Sequence, residues 1–107
     1  MNVLQGKRIL VTGGAGFLGS QVVQQLRARG CEELFVPRSA QYDLTSEQKI
    51  TEVLRSFKPE IIIHLAAVSN VNYAFEHPVY TVDLNVLATA KVLEAARANG
   101  VKRVVFA

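Results

Sequence analysis

The stretch Arg8-Ile9-Leu10-Val11-Thr12-Gly13-Gly14-Ala15-Gly16-Phe17-Leu18-Gly19 decides the fold. Its first five residues form a short β-branched apolar run halted by two glycines, which reads as a buried strand rather than a helix turn. From Phe17 the period changes. Leu18, Val22 and Leu26 recur every four residues with Val23 beside them, while Gln21, Gln24, Gln25, Arg27 and Arg29 take the other face. Gly30 then supplies a C-terminal stop, so the order is strand, glycine turn, helix.

The same alternation continues outward. Glu33-Leu34-Phe35-Val36 reads as a second strand ending at Pro37, and too few residues separate Pro37 from Leu44 for a helix to fit. Thr45 with Gln48 matches a capping box, and Ile50, Val53, Leu54 and Phe57 follow at amphipathic-helix spacing until Pro59 closes the element. Glu60 to Leu65 is a third strand, apolar on both faces as a central parallel strand must be. After a loop from Ala67 to His77, a long helix is expected from Pro78 to the Asn99-Gly100 stop, turning Val82, Val86, Ala90, Leu93 and Ala96 toward the core. Lys102 to Phe106 is a fourth strand. Strands alternating with helices imply right-handed crossovers and an α/β fold: a Rossmann-type parallel sheet, helices on both faces, strand order 2-1-3-4. The switch point then falls between the first and third strands.

Composition narrows the function. Half of the 107 residues are hydrophobic and 20% are charged, which excludes a disordered tail and fits one cored domain over residues 1–107. No apolar run approaches the ~20 residues needed to span a bilayer. The N-terminus lacks the long apolar region of a secretory signal, and the single Cys31 cannot form an internal disulfide, so a cytoplasmic protein with no membrane partner is expected. The net charge of +3 comes from 12 basic and 9 acidic residues spread along the chain, without a basic stripe, so no nucleic-acid partner is expected. No cluster of metal-ligating residues accompanies His64 or His77, and both read as structural or incidental.

The glycines at 13, 16 and 19 carry the chemistry. Directly after a strand and opening a helix, Gly13 permits the tight turn, Gly16 lets backbone approach a pyrophosphate, and Gly19 allows close helix-to-strand packing. Free amides and the positive end of the helix dipole would face the phosphates. Gly14 to Gly19 also has P-loop glycine spacing, but Ser20 stands where the P-loop lysine belongs. An acidic residue at the end of the second strand would bind the ribose of NAD, whereas this chain has Pro37-Arg38-Ser39. Arg38 can pair with a 2′-phosphate, which favours NADP over the alternative, NAD. Asp43 either accepts from an adenine amino group or helps cap the helix that follows.

These residues resemble the extended short-chain dehydrogenase/reductase superfamily, in particular the NAD(P)-dependent nucleotide-sugar epimerase/dehydratase family. The resemblance runs through Val11 to Gly19, Tyr42-Asp43-Leu44-Thr45, His64-Leu65-Ala66-Ala67 and Asn85. The short connection from Val36 to Thr45 looks like the GDP-L-fucose synthase group, the nearest subgroup, whereas Asn72-Tyr73-Ala74 and Asp83-Leu84-Asn85-Val86 look more like UDP-sugar 4-epimerases. The resemblance implies that Gly13, Gly16, Phe17, Leu18 and Gly19 cradle the pyrophosphate and that Arg38 holds the 2′-phosphate. It places Asp43 and Leu44 at the adenine, and Leu65, Ala66 and Ala67 along the wall toward ribose and nicotinamide. Asn85 is expected to bridge to neighbouring backbone.

The resemblance further implies a nucleotide-sugar substrate and a homodimer for the full-length enzyme. Its proton transfer uses a Tyr-x-x-x-Lys pair beside a Ser or Thr. Here Tyr42, Tyr73 and Tyr80 are followed four places on by Ser46, His77 and Leu84, so no such pair exists. No catalytic residue is assigned, and the chain reads as the N-terminal NADP-binding part of an epimerase or reductase, incomplete at its C-terminus and inactive alone. The alternative is a non-catalytic dinucleotide-binding or sensor module. In either case the fourth strand is expected to present an unpaired apolar edge open to strand pairing.

Overall fold

A computed structural model describes residues 4–38, 41–68 and 70–107. Its elements run β1 (Ile9–Thr12), α1 (Phe17–Ala28), β2 (Leu34–Phe35), α2 (Glu47–Phe57), β3 (Ile61–His64), α3 (Val71–Glu76), α4 (Pro78–Val82) and α5 (Ala88–Ala98), then β4 (Arg103–Phe106). The four strands form one parallel sheet in the order β2-β1-β3-β4, as the alternation requires. β4 lies at the edge with Phe106 61% exposed. No helix among the described residues is long and apolar enough to cross a membrane.

The pleat divides the core in two. Ile9 and Val11 of β1 point to one face, where they pack with Val23 and Leu26 of α1 and with Cys31. Leu10 points to the other and packs with Ile62 of β3, with Ile50, Val53 and Leu54 of α2, and with Val92 and Ala96 of α5. Alternate residues of one short strand thus anchor helices on opposite sides of the sheet. Gly30 and Gly100 end α1 and α5 with positive φ of 84° and 71°, the stops expected of them.

Four local expectations need correction. α2 is capped one residue later than Thr45-Gln48 suggests: the Ser46 hydroxyl accepts from the Lys49 amide at 3.3 Å, while Thr45 is held by Asp43. Leu18 is 54% exposed, because Gly19 rather than Leu18 faces the sheet. The segment expected as a loop holds α3, capped by Asn70, whose side chain accepts from the Tyr73 amide at 2.9 Å.

The long helix is rotated from its expected phase. A π-helical turn (Asp83–Leu87) joins α4 to α5 without a break. Val82 and Val86 are 55% and 58% exposed, and the buried residues are Ala88, Val92 and Ala96. Both stripes are apolar, so periodicity alone does not choose between them. The alanines decide, since small side chains let α5 sit close against α2 and the sheet.

Candidate functional site

A cleft of about 380 Å³ opens beyond the C-terminal ends of β1 and β3, at the switch point of the sheet. One wall is the glycine turn from Gly13 to Gly16, and Pro37, Arg38, Tyr42, Asp43 and Leu44 form the opposite side. Ala66 after β3, with Tyr80 and Leu84 from the long helix, closes it.

Steric contacts explain the turn's glycines. Gly13 has φ +70°, and a Cβ there would lie 2.7 Å from the Ala66 nitrogen and the Leu65 carbonyl carbon. Gly19 is packed beneath Gly13: a Cβ on it would overlap the Gly13 carbonyl oxygen and sit 2.8 Å from the Gly14 Cα. Gly16 differs, because a Cβ there would meet nothing closer than the Gly13 carbonyl oxygen at 3.4 Å. As N-cap of α1 it has extended backbone and offers no side chain to the amides of the first turn. Those amides and the helix dipole therefore remain available to an anion. Phe17 is 90% exposed, so what this first turn offers a phosphate is backbone.

The connection after β2 is held in shape by its own turn. The Arg38 carbonyl accepts from the amides of Gln41 at 3.0 Å and Tyr42 at 2.8 Å, and the Tyr42 ring packs edge-on against Phe35 at 5.6 Å. Arg38 is thereby presented from a pinned backbone with its side chain exposed. Ser39 lies outside the described residues. Asp43 does not cap α2, a role that Ser46 fills; it closes the turn just ahead of the helix, where one carboxylate oxygen accepts from the Thr45 amide at 2.9 Å and hydroxyl at 2.7 Å. These hydrogen bonds, backbone first, hold its pKa below the usual 3.8.

Beneath the cleft lies a buried polar chain. Thr12 and His64 are register partners on β1 and β3, 1% and 3% exposed, and their side chains share the α5 face. Thr12 Oγ1 accepts from the amides of Leu65 at 3.0 Å and Ala66 at 3.1 Å, which occupies its lone pairs. Its proton must then go to His64 Nδ1, 2.7 Å away. His64 Nε2 consequently carries the ring hydrogen and donates to Thr89 Oγ1 at 3.1 Å, and Thr89 donates to the Asn85 carbonyl. A second proton on His64 would displace one of the amides, and burial independently pushes its pKa down. His64 is structural, as expected, and ties the segment after β3 to β1. Asn85 bridges backbone as expected: its side chain accepts from the Val68 amide at 2.7 Å and donates to the Val68 carbonyl at 3.0 Å.

Of the expected cofactor residues, Gly13, Gly16, Arg38, Asp43, Leu44 and Ala66 surround the one cleft. Phe17 and Leu18 begin the adjoining helix, Gly19 lies buried under the turn, and Leu65 and Ala67 flank Ala66 without lining the cavity. Pro37, Tyr42, Tyr80 and Leu84 line it as well and are absent from the expected set. Tyr80, Leu84, Ala88, Val92 and Ala96 repeat every four residues, so the correct helix phase is the signal that finds Tyr80 and Leu84. Among the described residues no group of three His, Cys, Asp or Glu could hold a metal ion.

Comparison with known proteins agrees with this architecture. The NAD dependent epimerase/dehydratase family matches residues 9–107. UDP-glucose 4-epimerase of Rhizobium meliloti (strain 1021) is 35% identical over 116 residues, covering 96% of this chain and 35% of the relative. The structure of Thermus thermophilus UDP-glucose 4-epimerase in complex with NAD superposes with a TM-score of 0.82 at 36% identity, covering 92% of this chain and 36% of that one. A GDP-L-fucose synthetase from Naegleria fowleri gives a TM-score of 0.77 at 26% identity over 99% of this chain and 31% of that one. The chain thus spans between 35% and 37% of the length of the first curated relatives it matches. With a glycine turn at the switch point of a 2-1-3-4 sheet and a match over nearly its whole length, the chain belongs to the NAD dependent epimerase/dehydratase family.

Proposed function

We propose that this chain is the cofactor-binding N-terminal part of a nucleotide-sugar epimerase or reductase, and that it takes NADP in preference to NAD. The observation that carries the reading is the convergence of three features on one cleft: the Gly13–Gly16 turn, the uncapped start of α1, and Arg38 where an acidic residue would favour NAD. A bound dinucleotide would supply hydride chemistry at its nicotinamide. The chain's own residues would hold the pyrophosphate on turn amides, set the adenosine between Arg38 and Leu44, and keep the Ala66 wall low.

The same reading assigns the chain binding without turnover. Tyr42 and Tyr80 both line the cleft; Tyr42 is followed four places on by Ser46, and at Tyr80 burial and then the charge of Asp43 push the hydroxyl pKa above the usual 10.0. A proton-transfer tyrosine needs the opposite shift, from a cation this chain does not place four residues on. The UDP-glucose 4-epimerase and GDP-L-fucose synthetase relatives support a sugar-nucleotide substrate for the whole enzyme.

Titration of the purified chain with NADPH and NADH, followed by nicotinamide fluorescence, tests the cofactor preference. NADPH should bind at least about tenfold more tightly, the scale of a hydrogen bond to a charged group, and Arg38→Ala should remove most of that margin by weakening NADPH far more than NADH. Equal affinity of the unaltered chain for the two would overturn the preference.

A further inference from the structure

Behind the glycine turn a second concavity of about 560 Å³ opens between α1 and the exit of β2. It shares Gly14 and Arg38 with the dinucleotide cleft and adds Gln24 and Arg27 from α1. Its floor is apolar and tight. A Cβ on Gly14 would strike the Val36 side chain and approach Val23 to 3.3 Å, so only glycine lets the turn close down on that floor. Ser20, Gln24 and Arg27 lie at i, i+4 and i+7, on one helix face. The Ser20 hydroxyl already donates to the Phe17 carbonyl at 3.0 Å, which leaves the Gln24 amide and two guanidiniums as the donors.

The charges around this concavity are unbalanced. No carboxylate lines it. Among the described residues, the ion pairs of Arg8 with Glu33 and Arg97 with Glu94 have no counterpart at Arg27 or Arg38. Two uncompensated cations over an apolar floor, joined to a dinucleotide cleft through a shared arginine, suit a dianion better than water. A phosphate monoester carries about two negative charges at neutral pH, more than one exposed guanidinium neutralises.

We infer that this concavity receives the 2′-phosphate of the dinucleotide and that Arg27 is a second specificity-determining arm beside Arg38. This rests on the NADP reading above and adds to it a residue from α1. Arg27 also stands in the last turn of α1, where any cation favours the helix dipole. That role alone would affect stability and not cofactor choice.

The test is the same fluorescence titration of the full chain at low salt, with Arg27→Gln, Arg27→Lys and Arg38→Gln. Arg27→Gln should weaken NADPH binding about fivefold to tenfold, leave NADH within about twofold, and be largely rescued in Arg27→Lys. Unchanged NADPH affinity in Arg27→Gln, with Arg38→Gln still abolishing the preference, overturns the second arm and leaves the NADP reading standing. No NADPH preference in the unaltered chain overturns both.

Discussion

Gly19→Ala is expected to cost about 3 kcal/mol or more, a large part of the ~5–15 kcal/mol that holds a domain of this size together. The added carbon would fall on the Gly13 carbonyl oxygen, with the Gly13 carbonyl carbon at 2.7 Å and the Gly14 Cα at 2.8 Å. All of these are backbone atoms, so no rotamer change relieves the overlap; α1 must lift from β1 or the turn must open. Lifting α1 would strip Val23 and Leu26 from Ile9 and Val11, the core of that whole face. Urea unfolding followed by far-ultraviolet circular dichroism measures the loss, and a penalty below about 1 kcal/mol would show that the turn yields where the packing says it cannot.

His64→Leu carries the second large effect, and it has a distinctive pH signature. Leucine would leave the Thr12 hydroxyl proton buried without an acceptor, a loss of about 1–3 kcal/mol at neutral pH. In the unaltered chain, the folded His64 stays neutral below its ordinary 6.5 while the unfolded chain binds the proton. The unfolded state then holds more protons, so stability falls as the pH drops from 6.5 toward the folded pKa and levels off below it. Asp43 acts in a separate window, its contribution being lost only as the pH falls below 3.8. Thermal midpoints between about pH 7.5 and 5 should decline in the unaltered chain and decline less in His64→Leu. Equal slopes would mean that the Thr12–His64–Thr89 chain does not hold the imidazole neutral.

The parts of the fold legible in the residues are those where one local pattern has one physical outcome. A β-branched run stopped by Gly13-Gly14 can only leave the sheet there, and Ile50, Val53, Leu54 and Phe57 leave α2 a single apolar face. The long helix misleads because it is apolar nearly all round. Choosing Ala88, Val92 and Ala96 over Val82, Val86 and Leu93 depends on how closely α2 and the sheet approach, which no single helix encodes. The same limit applies to the cleft. Gly13, Gly16, Arg38 and Asp43 are marked by type and spacing, but Tyr80 and Leu84 enter it from an element distant in sequence, through a helix phase set by tertiary packing. His64 reads as structural from its strand alone, whereas its partners Thr12 and Thr89 emerge only from the register that sets Thr12 beside His64.

The glycine turn is either a phosphate cradle, as proposed, or a mere connection between β1 and α1, and Gly16 separates the two. Its backbone is extended, and a Cβ there would meet only the Gly13 carbonyl oxygen at 3.4 Å, so the protein itself has room for a β-carbon at this position. The direct measurement is NADPH affinity of the unaltered chain beside Gly16→Val, with circular dichroism and thermal midpoint taken on both. Two chains of similar fold and stability are expected, one binding NADPH and the other weaker by about a hundredfold or more, the scale of two lost charge-assisted hydrogen bonds. A folded Gly16→Val that binds as the unaltered chain does, or a folded unaltered chain that binds no dinucleotide, would contradict the phosphate cradle.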